Sequence, residues 1–99
     1  MTIQEVKEKL KTAKNPVARS LHQGAGFKVL VMGFNKGMIL KKHQAHIKAK
    51  LTVMEGAVTY KEANRLVILD QYAEVDIPTN VIHSVEATED SLCILTQGE

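Results

Sequence analysis

The sequence predicts an all-β domain, a sandwich or jelly-roll barrel preceded by one short α-helix. Three observations carry that expectation. From Arg19 onward, short runs rich in Val, Ile and Leu recur, each closed by Gly, Pro, Asn or Asp. No helical pattern falls between them, so the strands lack crossover helices and must pair antiparallel. Only the first residues repeat their apolar positions at helical spacing.

The N-terminal segment "MTIQEVKEKL" reads as the start of a helix over 3–13. Thr2 followed by Glu5 makes a capping box, Val6, Leu10 and Ala13 share one face, and Asn15-Pro16 supplies the stop. A helix below ~12–15 residues does not persist alone, so this one docks on the rest of the chain or on a partner copy. Strands follow at "FKVLVMGF", "GMILKKH", "KLTVME", "AVTYKE", "RLVILD", "AEVDIP", "VIHSVEA" and "LCILTQ". The turns between them fall at Asn35-Lys36-Gly37, Glu62-Ala63-Asn64, Leu69-Asp70, Pro78-Thr79-Asn80 and Thr88-Glu89-Asp90. The 99 residues make one domain, with 1–15 its helical segment and about 19–97 its barrel.

Composition removes several function classes. A formal charge of +2 is too small to imply nucleic acid. No apolar run approaches the ~20 residues of a membrane span, and the charged N-terminus is unlike a secretory signal, so a cytoplasmic protein is expected. The single Cys93, inside "SLCILTQ", is expected to pack as a small hydrophobe. There is no phosphate-cradling glycine loop, no cysteine cluster and no serine placed as a nucleophile. Charge is unevenly spread. Lys36, Lys41, Lys42, Lys48 and Lys50 lie in a stretch without acids, whereas residues 55–90 are mostly acidic. Cross-strand pairing of the two groups is the simpler reading, and a cationic rim that attracts anionic ligands is the sharper one.

The chemistry concentrates in the histidines. In a regular strand side chains alternate faces. His43, Ala45, Ile47, Ala49, Leu51 and Val53 then share one largely apolar face, and Gln44, His46, Lys48, Lys50, Thr52 and Met54 the other. His83 lies with Val81 and Val85 on an inward face. The expected ligand pocket is Lys41, His43, Leu51, Val53, His83 and Val85, with Lys41 at its mouth. His22, in the loop-like "LHQGAGF", is expected at the surface. Strand parity turns His46 outward unless a turn or bulge at 44–47 resets it.

The spacing Gly37, five residues, His43, the strand and turn "TVMEGAVTY" around Gly56, and "DIPTNVIHSVEATEDS" with Pro78 and His83 resemble the two motifs of the cupins. The resemblance runs from about Phe27 to Thr96 and is nearest to the short single-domain bacterial members. It implies a jelly-roll barrel of the double-stranded β-helix type and a homodimer, with Ile82 and Met54 among the residues a partner covers. It also implies a divalent metal, Zn, Fe, Ni, Mn or Cu, in the barrel. In cupins that metal is usually held by three histidines and a glutamate. His43 and His83 occupy two of those positions, but Ala45 stands at the second histidine and Lys48 or Ala49 at the glutamate. A lysine there opposes a cation. With a reset at 44–47, His43, His46 and His83 form a three-histidine set. Three functions follow: a barrel that binds a small molecule with or without a metal, a metal-dependent dioxygenase or isomerase acting on a small anionic substrate, and a non-catalytic interaction protein.

Overall fold

A computed structural model describes residues 1–98. The chain runs α1 (Thr2–Leu10), β1 (Val17–Gln23), β2 (Phe27–Phe34), β3 (Ile39–His43), β4 (Ala49–Glu55), β5 (Val58–Glu62), β6 (Arg65–Leu69), β7 (Glu74–Ile77), β8 (His83–Ala87) and β9 (Ser91–Gly98). Strand order is β1-β2-β9-β4-β7 in a five-stranded sheet and β3-β8-β5-β6 in a four-stranded one, with antiparallel pairs throughout. The expected all-β jelly roll with a short N-terminal helix is the observed one, and the eight strands read from the sequence are β2 to β9. Among the described residues no helix is long and apolar enough to cross a membrane.

Two expectations about residues 1–23 need correction. The capping box does not form: Met1 is the N-cap, Thr2 lies inside the first turn, and the first turn closes through Glu5 N–H donating to the Met1 carbonyl at 2.9 Å. The segment 17–23, taken in part as loop, is strand β1, and His22 belongs to it. That imidazole is exposed, as expected, and tilts against Phe27 with ring centroids 5.4 Å apart.

The inner faces of the two sheets interdigitate through Met32, Phe34, Leu51, Val53, Val75, Ile77 and Cys93 on one side and Val58, Tyr60, Leu69, Val85 and Ala87 on the other. Each such aliphatic side chain contributes roughly 1.5–3 kcal/mol when fully buried. Cys93 is fully buried, and burial pushes its thiol up to about 12, so it is an inert filler. Helix α1 covers the outer face of β1 and β2, where Val6, Leu10 and Ala13 pack on Val17, Val31 and Leu92. Gly33 permits that approach, because a Cβ there would sit 2.6 Å from both Val6 Cγ1 and Leu10 Cδ1. Asn35 Nδ2 donates to the Leu10 carbonyl at 2.7 Å, which caps the helix C-terminus. Gly56, at φ +84°, turns β4 into β5, and a side chain there would strike the Asp90 carbonyl and Ser91 Oγ.

The charge pattern resolves toward the simpler reading at Lys50, and a further cross-strand ion pair forms within the acidic stretch itself. Lys50 lies 3.9 Å from Glu74 and 3.7 Å from Asp76 on the neighbouring β7, and Lys61 lies 3.7 Å from Glu86 across β5 and β8.

Candidate functional site

Antiparallel register in the four-stranded sheet stacks its inward side chains into rungs. The deepest rung is apolar, with Val58 between Ala87 and Leu69. The next is Leu40, Val85, Tyr60 and Val67. The outermost crosses all four strands as His43, His83, Glu62 and Arg65. One face therefore changes from hydrocarbon to two imidazoles, a carboxylate and a guanidinium at one end of the barrel.

The members of that rung touch. His43 and His83 meet edge to face, with ring centroids 4.2 Å apart and planes at 60°. His83 is 3 % exposed and stacks over Tyr60 at 5.6 Å. The Tyr60 hydroxyl donates to Glu62 Oε2 at 2.6 Å, and Arg65 grips the same carboxylate through Nη2 at 2.6 Å and Nε at 3.3 Å. Arg65 Nη2 also donates to the Asp76 carbonyl at 3.1 Å, linking the two sheets, and its guanidinium carbon lies 5.5 Å from the Tyr60 ring centroid.

Electrostatics follow from these contacts. The Arg65 and then the Tyr60 hydrogen bonds hold the Glu62 carboxyl below the usual carboxylate range. Burial, reinforced by the Glu62 carboxylate, pushes the Tyr60 phenol up to about 12. Burial lowers the His83 pKa and repulsion from His43 adds to it, against a raising contribution from the Val81 carbonyl and Glu62. Glu62 is thus committed to its neighbours, and His83 is held neutral.

A cavity of about 300 Å³ opens beside His43 and His83. His46, Gln44 and Gln97 complete its polar wall, and Ala49, Ile77 and Leu95 from the opposing sheet form an apolar one. The chain does break between β3 and β4, over 44–48, because β3 belongs to the four-stranded sheet and β4 to the five-stranded one. The crossing is pinned where Asn80 N–H donates to the Ala45 carbonyl at 2.7 Å. Strict parity across this segment is therefore overturned, and His46 borders the cavity with Nδ1 bonded to Asn80 Oδ1 at 2.7 Å. Asn80 itself adopts φ +59°, the left-handed turn conformation expected of it.

All three histidines are oriented alike. His43 Nδ1 meets the Lys41 carbonyl at 2.8 Å and His83 Nδ1 the Val81 carbonyl at 3.0 Å. A carbonyl only accepts, so each of these nitrogens carries the proton, and the neutral ring keeps its lone pair on Nε2.

The remaining expected pocket residues sit elsewhere. Leu51, Val53 and Val85 are at most 2 % exposed and lie in the core beneath the cavity rather than on its wall. The Lys41 side chain is exposed outside the cavity, and only its carbonyl takes part, through His43. Tyr60, Glu62, Arg65 and Asn80 were missed. The signal for the first three was available: Glu62-Ala63-Asn64-Arg65 is a two-residue hairpin, and Val58, Tyr60 and Glu62 share parity.

A metal is tested by the donor set itself. Histidines tied through Nδ1 to carbonyls are oriented as metal ligands usually are. Among the described residues, however, no three His, Cys, Asp or Glu side chains are arranged to hold an ion. Ala45 and Lys48 bring no ligand where the cupin resemblance places a histidine and a glutamate, and Glu62 is engaged by Arg65. The arrangement does not fit a closed metal site.

No protein-family model and no curated protein matches the sequence. Solved structures do match. A cupin superfamily protein from Desulfitobacterium hafniense superposes with a TM-score of 0.80 at 10 % identity, over 86 % of this chain and 78 % of that one. The fold is the cupin fold. An RmlC-like cupin from Desulfovibrio desulfuricans gives a TM-score of 0.78 at 20 % identity, over 86 % and 83 % of the two chains. A cupin 2 conserved barrel domain protein from Leptotrichia buccalis gives 0.80 at 25 % identity over 94 % of this chain, which spans 46 % of that one. In this cupin barrel the two motifs read from the sequence deliver His43 and His83 to adjacent strands at the open end.

Proposed function

We propose that this protein is a binding module that holds a small organic molecule at the open end of its barrel. One observation carries the reading: the cavity of about 300 Å³ is bordered by three histidines whose Nδ1 atoms are already bonded, so their Nε2 atoms are the groups left to meet a ligand. The volume sits at the small end of ligand pockets, which are mostly apolar with a few placed polar groups. Ala49, Ile77 and Leu95 supply the apolar surface, and His43, His83 and Gln97 the polar positions. The ligand this wall recognises is compact, with hydrogen-bond donors on one side and hydrocarbon on the other. A metal-dependent dioxygenase or isomerase draws less support, because among the described residues no three His, Cys, Asp or Glu side chains are arranged to hold an ion.

The test is a fragment screen. A library of small hydroxyl- and amine-bearing molecules is titrated into the full chain while histidine side-chain nitrogen resonances are followed. Saturable shifts at the Nε2 atoms of His43 and His83, abolished in a His43→Ala, His83→Ala double variant that keeps its circular dichroism, are the expected result. Binding that survives the double variant, or no binding across the library, overturns the reading.

A further inference from the structure

The segment that crosses between the sheets, 44–48, forms one side of the cavity through Gln44, Ala45, His46 and Ile47. It has almost no packing of its own. Ala45 is half-buried, and Gln44, His46, Ile47 and Lys48 are exposed. Among the described residues its ties are hydrogen bonds: Gly98 N–H donates to the Lys48 carbonyl at 3.0 Å, Asn80 N–H donates to the Ala45 carbonyl at 2.7 Å, and Asn80 Oδ1 meets His46 Nδ1 at 2.7 Å. A segment with few apolar contacts opens locally without unfolding the rest, so these bonds decide how often this one opens. A single residue, Asn80, makes all of them except the one at Lys48.

Asn80 sits at φ +59° in the turn before β8, a left-handed conformation that glycine takes most easily and asparagine tolerates. Glycine would make the same turn and offer the same N–H to Ala45. What it would lack is the side-chain amide that meets His46, so that amide is surplus to the turn. The three histidines differ on this point. His43 and His83 are oriented by carbonyls two residues earlier in the chain, those of Lys41 and Val81. His46 takes its orientation from a residue 34 positions away, and that residue does not itself border the cavity.

We propose that Asn80 is the latch of the 44–48 strap and, through it, the positioning residue of the cavity. Its backbone N–H holds the strap against the barrel rim, and its amide oxygen, which only accepts, keeps the His46 proton on Nδ1 and leaves Nε2 as the free nitrogen. The inference rests on the cavity being a ligand site. Opening the latch lifts Gln44, Ala45, His46 and Ile47 away together, so ligand entry and release follow the strap.

A ligand-free experiment on the full chain tests the latch separately from the cavity: histidine side-chain nitrogen spectra and hydrogen exchange of the residue-80 amide, at about pH 8, above the reference imidazole value. His46 of the wild type is expected to be protonated on Nδ1. Asn80→Gly, with unchanged circular dichroism and unchanged His43 and His83 resonances, is expected to lose that single tautomer. Its residue-80 amide, corrected for intrinsic rate, is expected to exchange about five- to tenfold faster, the worth of one neutral hydrogen bond. His46→Ala should accelerate exchange equally, and the double variant no more than either, because both changes remove the same bond. Asn80→Asp, which keeps an acceptor oxygen on a residue that tolerates the turn, should restore Nδ1 protonation. A wild type with His46 protonated on Nε2 alone overturns the proposal, as does an Asn80→Gly variant that changes neither tautomer nor exchange. Accelerations that multiply in the double variant overturn it too. Should the fragment screen find no binder while these results hold, the cavity reading fails and the latch does not.

Discussion

The two ends of the four-stranded sheet's inner face are built on the same strands with the same alternation, yet they do opposite work. At the closed end Val58, Leu69 and Ala87 are at most 2 % exposed and meet only hydrocarbon. At the open end the corresponding positions are His43, His83, Glu62 and Arg65, each satisfied by a named partner. Among the described residues no buried side-chain nitrogen or oxygen lacks a hydrogen bond. Parity decides which side chains point inward, and depth along the strand decides whether an inward side chain is a packing element or a chemical one.

Substitutions at the two ends separate these roles. The largest effect is expected at the closed end, where Leu69→Ala empties a fully packed position, and denaturant unfolding should show a loss of about 2–5 kcal/mol. The open end answers to pH instead. Glu62→Gln removes the charge gripped by Arg65 and is expected to lower the Tm by a few °C near neutrality. Because the folded Glu62 carboxyl titrates below its ordinary 4.5, its contribution is full above that value and disappears as pH falls through the folded pKa. The wild type and the variant should therefore converge in acid, and a pH-independent difference would make Glu62 a packing residue like Leu69.

His83 gives a smaller signal with its own window. Burial keeps its folded pKa below 6.5, so the unfolded chain takes up the proton first. Stability from this group is full above about pH 6.5 and declines as pH falls through that value. Thermal unfolding between pH 7.5 and 5 should show the decline in the wild type and a flatter profile in His83→Gln. The smallest effect belongs to neither end: Lys7 lies 2.9 Å from Glu55 at the surface, and Lys7→Ala should cost about 0.2–1 kcal/mol, less at high salt.

What the sequence disclosed divides along the same line. Strands with a buried face and a punctuated end were readable, because alternation and turn residues are local. β1 was not, since only Val17 in it is buried and its existence depends on pairing with β2. The helix was legible, but its cap was not, because Glu5 N–H donates to the Met1 carbonyl and not to the Thr2 hydroxyl. His83 could be placed by parity with Val85 within β8, whereas parity in β3 groups His43 with Ile39 and Lys41 and is broken by the register shift between Leu40 and His43, which turns Leu40 and His43 both inward. His46 could not be placed either, because the break at 44–48 comes from a crossing between sheets and carries neither Gly nor Pro to announce it. The Glu62–Arg65 pair was within reach of the hairpin turn and the β5 alternation, but its meeting with His83 required the register of β5 against β8.

The central claim is that the open end presents imidazole lone pairs to the cavity. Long-range proton–nitrogen spectra of histidine-labelled protein at neutral pH test it most directly. The account predicts that both His43 and His83 carry a proton on Nδ1 and that His83, whose pKa burial lowers, keeps Nε2 unprotonated. A ring that carries its proton on Nε2 alone would contradict it, since a bare Nδ1 cannot donate to the carbonyl that orients the side chain.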